Sequence, residues 1–226
     1  MSISRSQRCP VIRVSIDFVA ALTLALTICV VPFASAQTAP VQPTTNQPNP
    51  VERSERTSLA AEADILSFFI GGYSGIVNLS LRNGFQVAFG SGRYDHPSFL
   101  VEGDPNFELA QWKATSTSVQ IFRMGYRFKG PMRNGPALAG ILFNQHLRLR
   151  SEPLNGQTRF RQIGVGVSGG YYVHVGRHFY VYPTGAFTRN AVYSGETSIR
   201  GTNFEVSKYE PNASVHVGWE WGMSPN

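Results

Sequence analysis

Phe122-Arg123-Met124-Gly125-Tyr126-Arg127-Phe128 alternates, residue by residue, between a bulky apolar side chain and an arginine or glycine. Successive side chains on a β-strand point to opposite faces, so a period of two marks a strand with two unlike surfaces. Phe122, Met124, Tyr126 and Phe128 share one face, and Arg123, Gly125 and Arg127 share the other. The strand extends over 112–128, and the same pattern recurs on both sides of it.

Toward the C-terminus, 137–150 places Ala139, Ile141, Phe143, Leu147 and Leu149 on one side, with Asn144, His146 and Arg148 opposite. In 159–173, Ile163, Val165, Val167 and Tyr171 oppose Gln162, Gly164, Gly166, Ser168 and Gly170. A strand over 179–189 follows, and 212–221 sets Ala213, Val215, Val217, Trp219 and Trp221 against Ser214, His216, Gly218 and Glu220. Toward the N-terminus, 75–82 and 85–93 flank Asn83-Gly84, the strongest short hairpin signal, because both central residues of that turn need positive φ. Short turns (82–84, 129–135, 174–178) alternate with longer connections (94–111, 151–158, 190–211), the last long enough for a small hairpin. No sequence period recurs, so this is not a solenoid. The pattern predicts an all-β fold: a single antiparallel up-and-down β-barrel of about eight strands. Parity requires one strand ahead of 75–82. The segment 64–72 is the candidate, although Leu66-Ser67-Phe68-Phe69-Ile70 puts apolar residues on both faces, and 58–63 reads as a short helix.

Three segments precede or make up this domain: a signal peptide over 1–36, a linker over 37–57 and a barrel over 58–226. Arg5, Arg8 and Arg13 form a basic region, and residues 18–33 are sixteen uncharged, mostly apolar positions, short of the ~20 that cross a bilayer as a helix. Ala34-Ser35-Ala36 before Gln37 is an A-x-A cleavage site. The linker is rich in Pro, Thr and Gln and holds nothing that could bury a core. Cys9 and Cys29 both lie in the signal, and the bulky Ile28 before Cys29 argues against lipoprotein processing. The exported chain then has no disulfide and no cysteine chemistry. Losing Arg5, Arg8, Arg13 and Asp17 lowers the net charge from +6 to +4, and no basic run or nucleic-acid motif remains, so no nucleic-acid partner is expected. Beyond the signal no apolar stretch reaches eighteen residues, so a membrane-spanning form must be a closed sheet.

With Gly169-Gly170-Tyr171-Tyr172, Phe179-Tyr180-Val181-Tyr182-Pro183 and the closing Ser214-Val215-His216-Val217-Gly218-Trp219-Glu220-Trp221, the 122–128 segment resembles the small outer-membrane β-barrel proteins of Gram-negative bacteria. The likeness covers 64–221 and points to no particular member. It implies a lipid-facing apolar surface, a polar lumen, the outer membrane as the location, and outer-membrane lipid and the β-barrel assembly machinery as partners. The class commonly ends in an aromatic residue read by that machinery, whereas five residues follow Trp221 here.

Glu220 is one of few acids with lumen parity, and Arg123, Arg127 and Arg148 have the same parity in their strands. An unpaired buried charge is costly, so a lumen ion-pair network is expected among these four. His146, His216, Gln162 and Asn144 are expected as further polar lumen residues. Gly164-Val165-Gly166-Val167-Ser168-Gly169 matches G-x-G-x-x-G but lacks the following helix a nucleotide site requires. His174 and His178 bracket a turn without a third ligand and read as solvated. Asp95, Glu102, Asp104 and Glu108 read as a solvated acidic loop. Ser168, His146 and His216 lack the local motifs of an outer-membrane hydrolase. Catalytic, metal and cofactor sites are therefore expected to be absent. Eight strands enclose roughly enough room for side chains alone. The expected role is structural or surface-interacting, with a narrow channel or carrier of small or hydrophobic solutes, an outer-membrane lipid-modifying enzyme, and a soluble periplasmic lipocalin-like barrel as alternatives.

Overall fold

A computed structural model describes residues 56–223. The expected signal peptide, its expected cleavage point at Ala34, Ala36 and Gln37, and the expected linker up to residue 55 lie outside the described residues. The chain runs β1 (Thr57–Asp64), α1 (Ile65–Phe69), β2 (Tyr73–Ser80), β3 (Phe85–Asp95), α2 (Ser98–Val101), α3 (Phe107–Ala110), β4 (Lys113–Arg127), β5 (Gly135–Ser151), β6 (Gly156–Val175), β7 (Phe179–Gly195), β8 (Ser198–Ile199), β9 (Thr202–Asn203) and β10 (Tyr209–Met223). Eight strands close an antiparallel barrel in the order β1-β10-β7-β6-β5-β4-β3-β2, and β8-β9 form the small hairpin of the 190–211 connection.

The first strand departs from expectation. Residues 58–63 are not a helix: they lie in β1, which closes the barrel with Ala60 opposite Glu220 and Glu62 opposite Gly218. Their local helix preference, from three Ala with Leu59 and Glu62, yields to the pairing of two sheet edges that would otherwise stay open. Instead the helix is α1, inside the 64–72 segment expected as a strand, and the Asp64 carboxylate caps it by accepting from the Leu66 N–H at 3.0 Å. Apolar residues on both faces of 66–70 were the mark of that helical turn. At the β2–β3 turn only Gly84 of the Asn83-Gly84 pair has positive φ, +90°. The Gly84 N–H donates to the Leu81 carbonyl at 2.9 Å, giving a longer loop with glycine in the left-handed position.

Inward and outward faces are the inverse of a soluble barrel's. Phe89, Val165 and Val167 point outward and are each 59 % exposed, whereas Arg127 and Glu220 are 2 % and 0 % exposed. Strand β5 keeps the same side inward along its whole length, but the chemistry of its two faces changes halfway. Its outward face reads Leu138, Leu142, then Asn144, His146, Arg148 and Arg150, while Phe143, Leu147 and Leu149 turn inward and are buried. Parity on β5 therefore runs opposite to the sequence expectation. The reason lies above: Leu147, Leu149 and Phe160 join Val101, Ala110, Trp112 and Ile199 in an apolar cluster that seals this end of the barrel. There the inner surface is a core and the outer surface is polar.

Inside, large side chains sit over glycines of the neighbouring strand. A Cβ on Gly164 would lie 2.1 Å from the Phe143 ring, and one on Gly218 would lie 2.3 Å from the Tyr180 ring. This is volume complementarity at Gly164 and Gly218, whereas Gly166 and Gly170 admit the close approach of the β7 backbone, 2.0 Å from the Phe187 and 2.4 Å from the Pro183 carbonyl oxygen to a built Cβ, so the run needs no nucleotide. We predict that Gly164→Ala destabilises the barrel by about 1–3 kcal/mol. Gly185→Ala, whose new Cβ meets its nearest atom, the Asn212 carbonyl oxygen, only at 3.9 Å, leaves the urea midpoint in detergent near wild type.

Candidate functional site

Two buried carboxylates organise the lumen. Glu62 of β1 accepts from Arg123 Nη2 at 2.8 Å, Asn78 Nδ2 at 3.0 Å and the Tyr180 hydroxyl at 2.9 Å. His216 Nδ1 stands 3.9 Å from the same carboxylate. Glu220 of β10 accepts from Arg127 Nη1 at 2.8 Å, with Arg127 Nη2 at 3.4 Å, and also from Ser58 Oγ. His174 Nε2 is 2.8 Å from its second oxygen. Ala60 lies opposite Glu220 and Glu62 stands two residues further along β1, so the β1–β10 seam places the two carboxylates diagonally on the inner wall.

Aromatic rings wall this pair of acids. Arg127 lies over the Tyr172 ring at 3.8 Å and Arg123 over Tyr182 at 5.5 Å. Tyr172 stacks on Tyr182 at 4.0 Å with 9° between planes, and its hydroxyl donates to Gln86 Oε1 at 3.1 Å. Cation–π contact and charge-assisted hydrogen bonds make up for the water these ions lost. Tyr172, Tyr180 and Tyr182 are buried and fill the bore.

Among the expected members, Arg127 meets Glu220, while Arg123 is paired with Glu62 instead. Arg148 is not in the lumen: it faces outward from β5, next to Arg159 of β6. Asn144 and His146 also face outward. Asn144 bonds the Tyr193 hydroxyl at 2.8 Å on the exterior, and the His146 carbonyl accepts from Thr117 Oγ1 at 3.1 Å. The cause is the parity of β5, which is inverted along the whole strand relative to the expectation. Gln162 and His216 do point inward, Gln162 donating to Gln145 Oε1 at 2.8 Å. His174 is an interior partner of Glu220, not a solvated turn residue, and His178 Nδ1 lies 2.8 Å from the Glu220 carbonyl while its ring stacks on Trp219. Glu62, Ser58 and the three tyrosines escaped the sequence reading. Glu62 was hidden in a segment read as helix; a period-two reading of Ser58, Ala60 and Glu62 was the available signal.

A second polar group sits beneath the loops. Ser116 Oγ is 2.7 Å from His96 Nε2 and bonds the Gln145 amide, which donates in turn to the Tyr94 hydroxyl at 3.1 Å. Burial pushes His96 down to about 4, against the opposing pull of Asp95, so its ring is neutral near pH 7. Ser116 is fully buried and already holds two partners, which makes this pair a structural knot, not a poised nucleophile and base. Ser168 is buried on β6 without a histidine bonded to it. Asp104 is not a solvated loop acid. It accepts from Trp112 Nε1 at 3.0 Å, from the Asn106 N–H at 2.8 Å and from the Glu205 N–H at 2.6 Å, tying two outer loops together. Among the described residues no group of three or more metal-ligating side chains converges.

No protein-family model matches the chain, and no curated protein sequence matches it. Similar solved structures include the N-terminal β-barrel domain of Pseudomonas aeruginosa OprF (15% identity, TM-score 0.43, 74% of this chain and 98% of that one). Neisserial surface protein A, NspA, is similar at 17% identity and TM-score 0.40, over 74% of this chain and 95% of that one. A major outer membrane protein from Thermus thermophilus is similar at 9% identity and TM-score 0.44, over 74% of this chain and 98% of that one.

Removing one partner from the Glu62–Arg123 pair leaves the other buried and uncompensated. Arg123→Met or Glu62→Gln alone should cost about 3–5 kcal/mol, and the double variant much less than their sum. Arg148→Gln, outside the lumen, should leave the unfolding free energy within about 0.5 kcal/mol of wild type in neutral detergent. Urea titrations in micelles measure all four.

Proposed function

We propose that this chain is an outer-membrane β-barrel protein of a Gram-negative envelope, exported by a cleaved signal peptide, with a structural or surface-interaction role and a side-chain-filled lumen. One observation carries the reading: charged residues are buried inside the closed sheet while Val77, Phe89, Phe122, Leu142, Val165, Phe187 and Trp219 form an exposed apolar belt around it. Lipid accepts such a belt, and only a closed sheet satisfies every backbone group there. Trp219 and Trp221 lie near the end with short turns, and Tyr73, Tyr193 and Tyr209 lie toward the looped end, as an interfacial girdle requires. Assembly-machinery recognition and surrounding lipid are the partners this reading names.

The role is static. The stacked tyrosines and two ion clusters block the lower bore, and the Trp112 cluster closes the upper one, which disfavours a channel or carrier. A lipocalin-like barrel needs the opposite distribution of polarity. The serine–histidine contact between Ser116 and His96 is buried and knotted to Gln145, which supports a structural role for it. The packed loops, tied by Asp104, then serve as a fixed outer surface for contacts.

Val167→Arg, well inside the belt, should cost about 2–4 kcal/mol of folding free energy in phospholipid vesicles, whereas Arg161→Val, beyond Ile163 on the same face, should be tolerated. The wild-type chain should show heat-modifiable gel migration and no steady conductance in planar bilayers. A soluble monomeric mature chain, or stable ion steps, overturns the reading.

A further inference from the structure

The outward face of β4, β5 and β6 changes abruptly above the belt. Phe122, Leu142 and Val165 share one outward row, followed upward by Gln120, Asn144 and Ile163. In the next rows His146 lies opposite Arg161, Arg148 opposite Arg159, and Lys113 opposite Arg150. Like charges directly opposite on a sheet destabilise it. Yet among the described residues no acid stands within ion-pair distance of Arg148, Arg159 or Arg161. Two acids border this edge: Glu152 is bound to Lys113 at 2.6 Å and is held lower in pKa by that bond first, with Arg150 adding to it, and Glu196 donates its backbone N–H to the Arg159 carbonyl at 3.3 Å. Arg148 Nε is shielded from solvent and has no hydrogen-bond partner. A cleft of ≈ 330 Å³ opens beside it between Asp95, His96, Thr115, Arg148 and Arg150, and the Asp95 carboxylate in it already accepts from Thr115 Oγ1 at 2.8 Å.

Height decides what this patch meets. Two residues of strand rise about 7 Å, so these rows stand within one or two such steps of the belt's upper edge. The headgroup layer on each side of a ~30 Å hydrocarbon core is of the same order of thickness. Paired guanidinium forks are suited to bind a phosphate bidentately, turning cross-strand repulsion into shared attraction.

We propose that the outer face of β4–β6 above the belt is a binding site for phosphomonoester headgroups of lipid in the loop-side leaflet, with Arg148 and Arg159 as its central clamp and Lys113, Arg150 and Arg161 around it. This rests on the membrane reading above and adds a lipid class and a place to it.

The test uses the full mature chain folded in phosphatidylcholine bicelles, with phosphatidic acid or inorganic phosphate added, read by lipid retention in native mass spectrometry and by thermal unfolding. The variants are Arg148→Gln with Arg159→Gln, and, as a control of equal charge loss, Arg93→Gln with Arg189→Gln. Wild type and control should retain phosphatidic acid and unfold at higher temperature with it, and the clamp variant should bind it at least tenfold more weakly. In phosphatidylcholine alone the clamp variant should match or exceed wild type in unfolding temperature, because it loses a repulsion; a structural role would lower it. Equal retention by clamp variant and wild type overturns the proposal, as does inorganic phosphate giving the full thermal shift at the same concentration. Insertion into phosphatidylcholine without selective phosphatidic acid binding leaves the membrane reading standing and removes this one. Failure to insert removes both.

Discussion

Closure of the sheet between β1 and β10 is the constraint on which the rest depends. Each backbone N–H and C=O that faces lipid must find a partner within the sheet, and an open edge leaves a whole row of them unpaired. The register from Thr57 opposite Met223 to Asp64 opposite His216 removes that edge. It also brings Glu62 and Glu220 to the inner wall on adjacent strands. The two acids that anchor the lumen are thus supplied by the seam that closes it.

Burial of those acids follows from the narrow bore. Eight strands leave space for side chains and little else. Arg123, Arg127 and His174 supply compensating donors, and Tyr172, Tyr180 and Tyr182 fill what remains. Such a cluster gives little net stability over an apolar filling, but losing one member is expensive, so it enforces one arrangement of strands. At the looped end apolar side chains take over the inner surface and cations take over the outer one. That exchange of polarity marks where the chain leaves the hydrocarbon.

Much of this was legible in the sequence wherever both faces of a strand stayed within one environment. Alternation through Phe122–Phe128, Ile163–Tyr171 and Val215–Trp221 points outward and inward as the pattern says. It misled on β5, because period two reports which residues share a face but not which face is inside. Phe143, Leu147 and Leu149 share parity with Ala139, yet one end of that face is lumen under lipid and the other is a loop-capped core. Asn144, His146 and Arg148 were assigned inward by the same logic. The first strand was missed for a different reason: its Ala, Leu and Glu residues favour a helix locally, and only the distant β10 edge makes them a strand. Arg123's partner Glu62 was lost with it.

The central claim is that the apolar face lies in lipid, and the three tryptophans test it directly. Trp219 and Trp221 are each 47 % exposed on the outer face, while Trp112 is buried at 2 % under the loops. Fluorescence quenching by acyl chains brominated at defined depths, in single-tryptophan variants folded in vesicles, reports which of them touch hydrocarbon. Strong quenching of Trp219 and Trp221 with Trp112 unaffected is the result the account predicts. Quenching of none, or of Trp112 in preference to the other two, would contradict it.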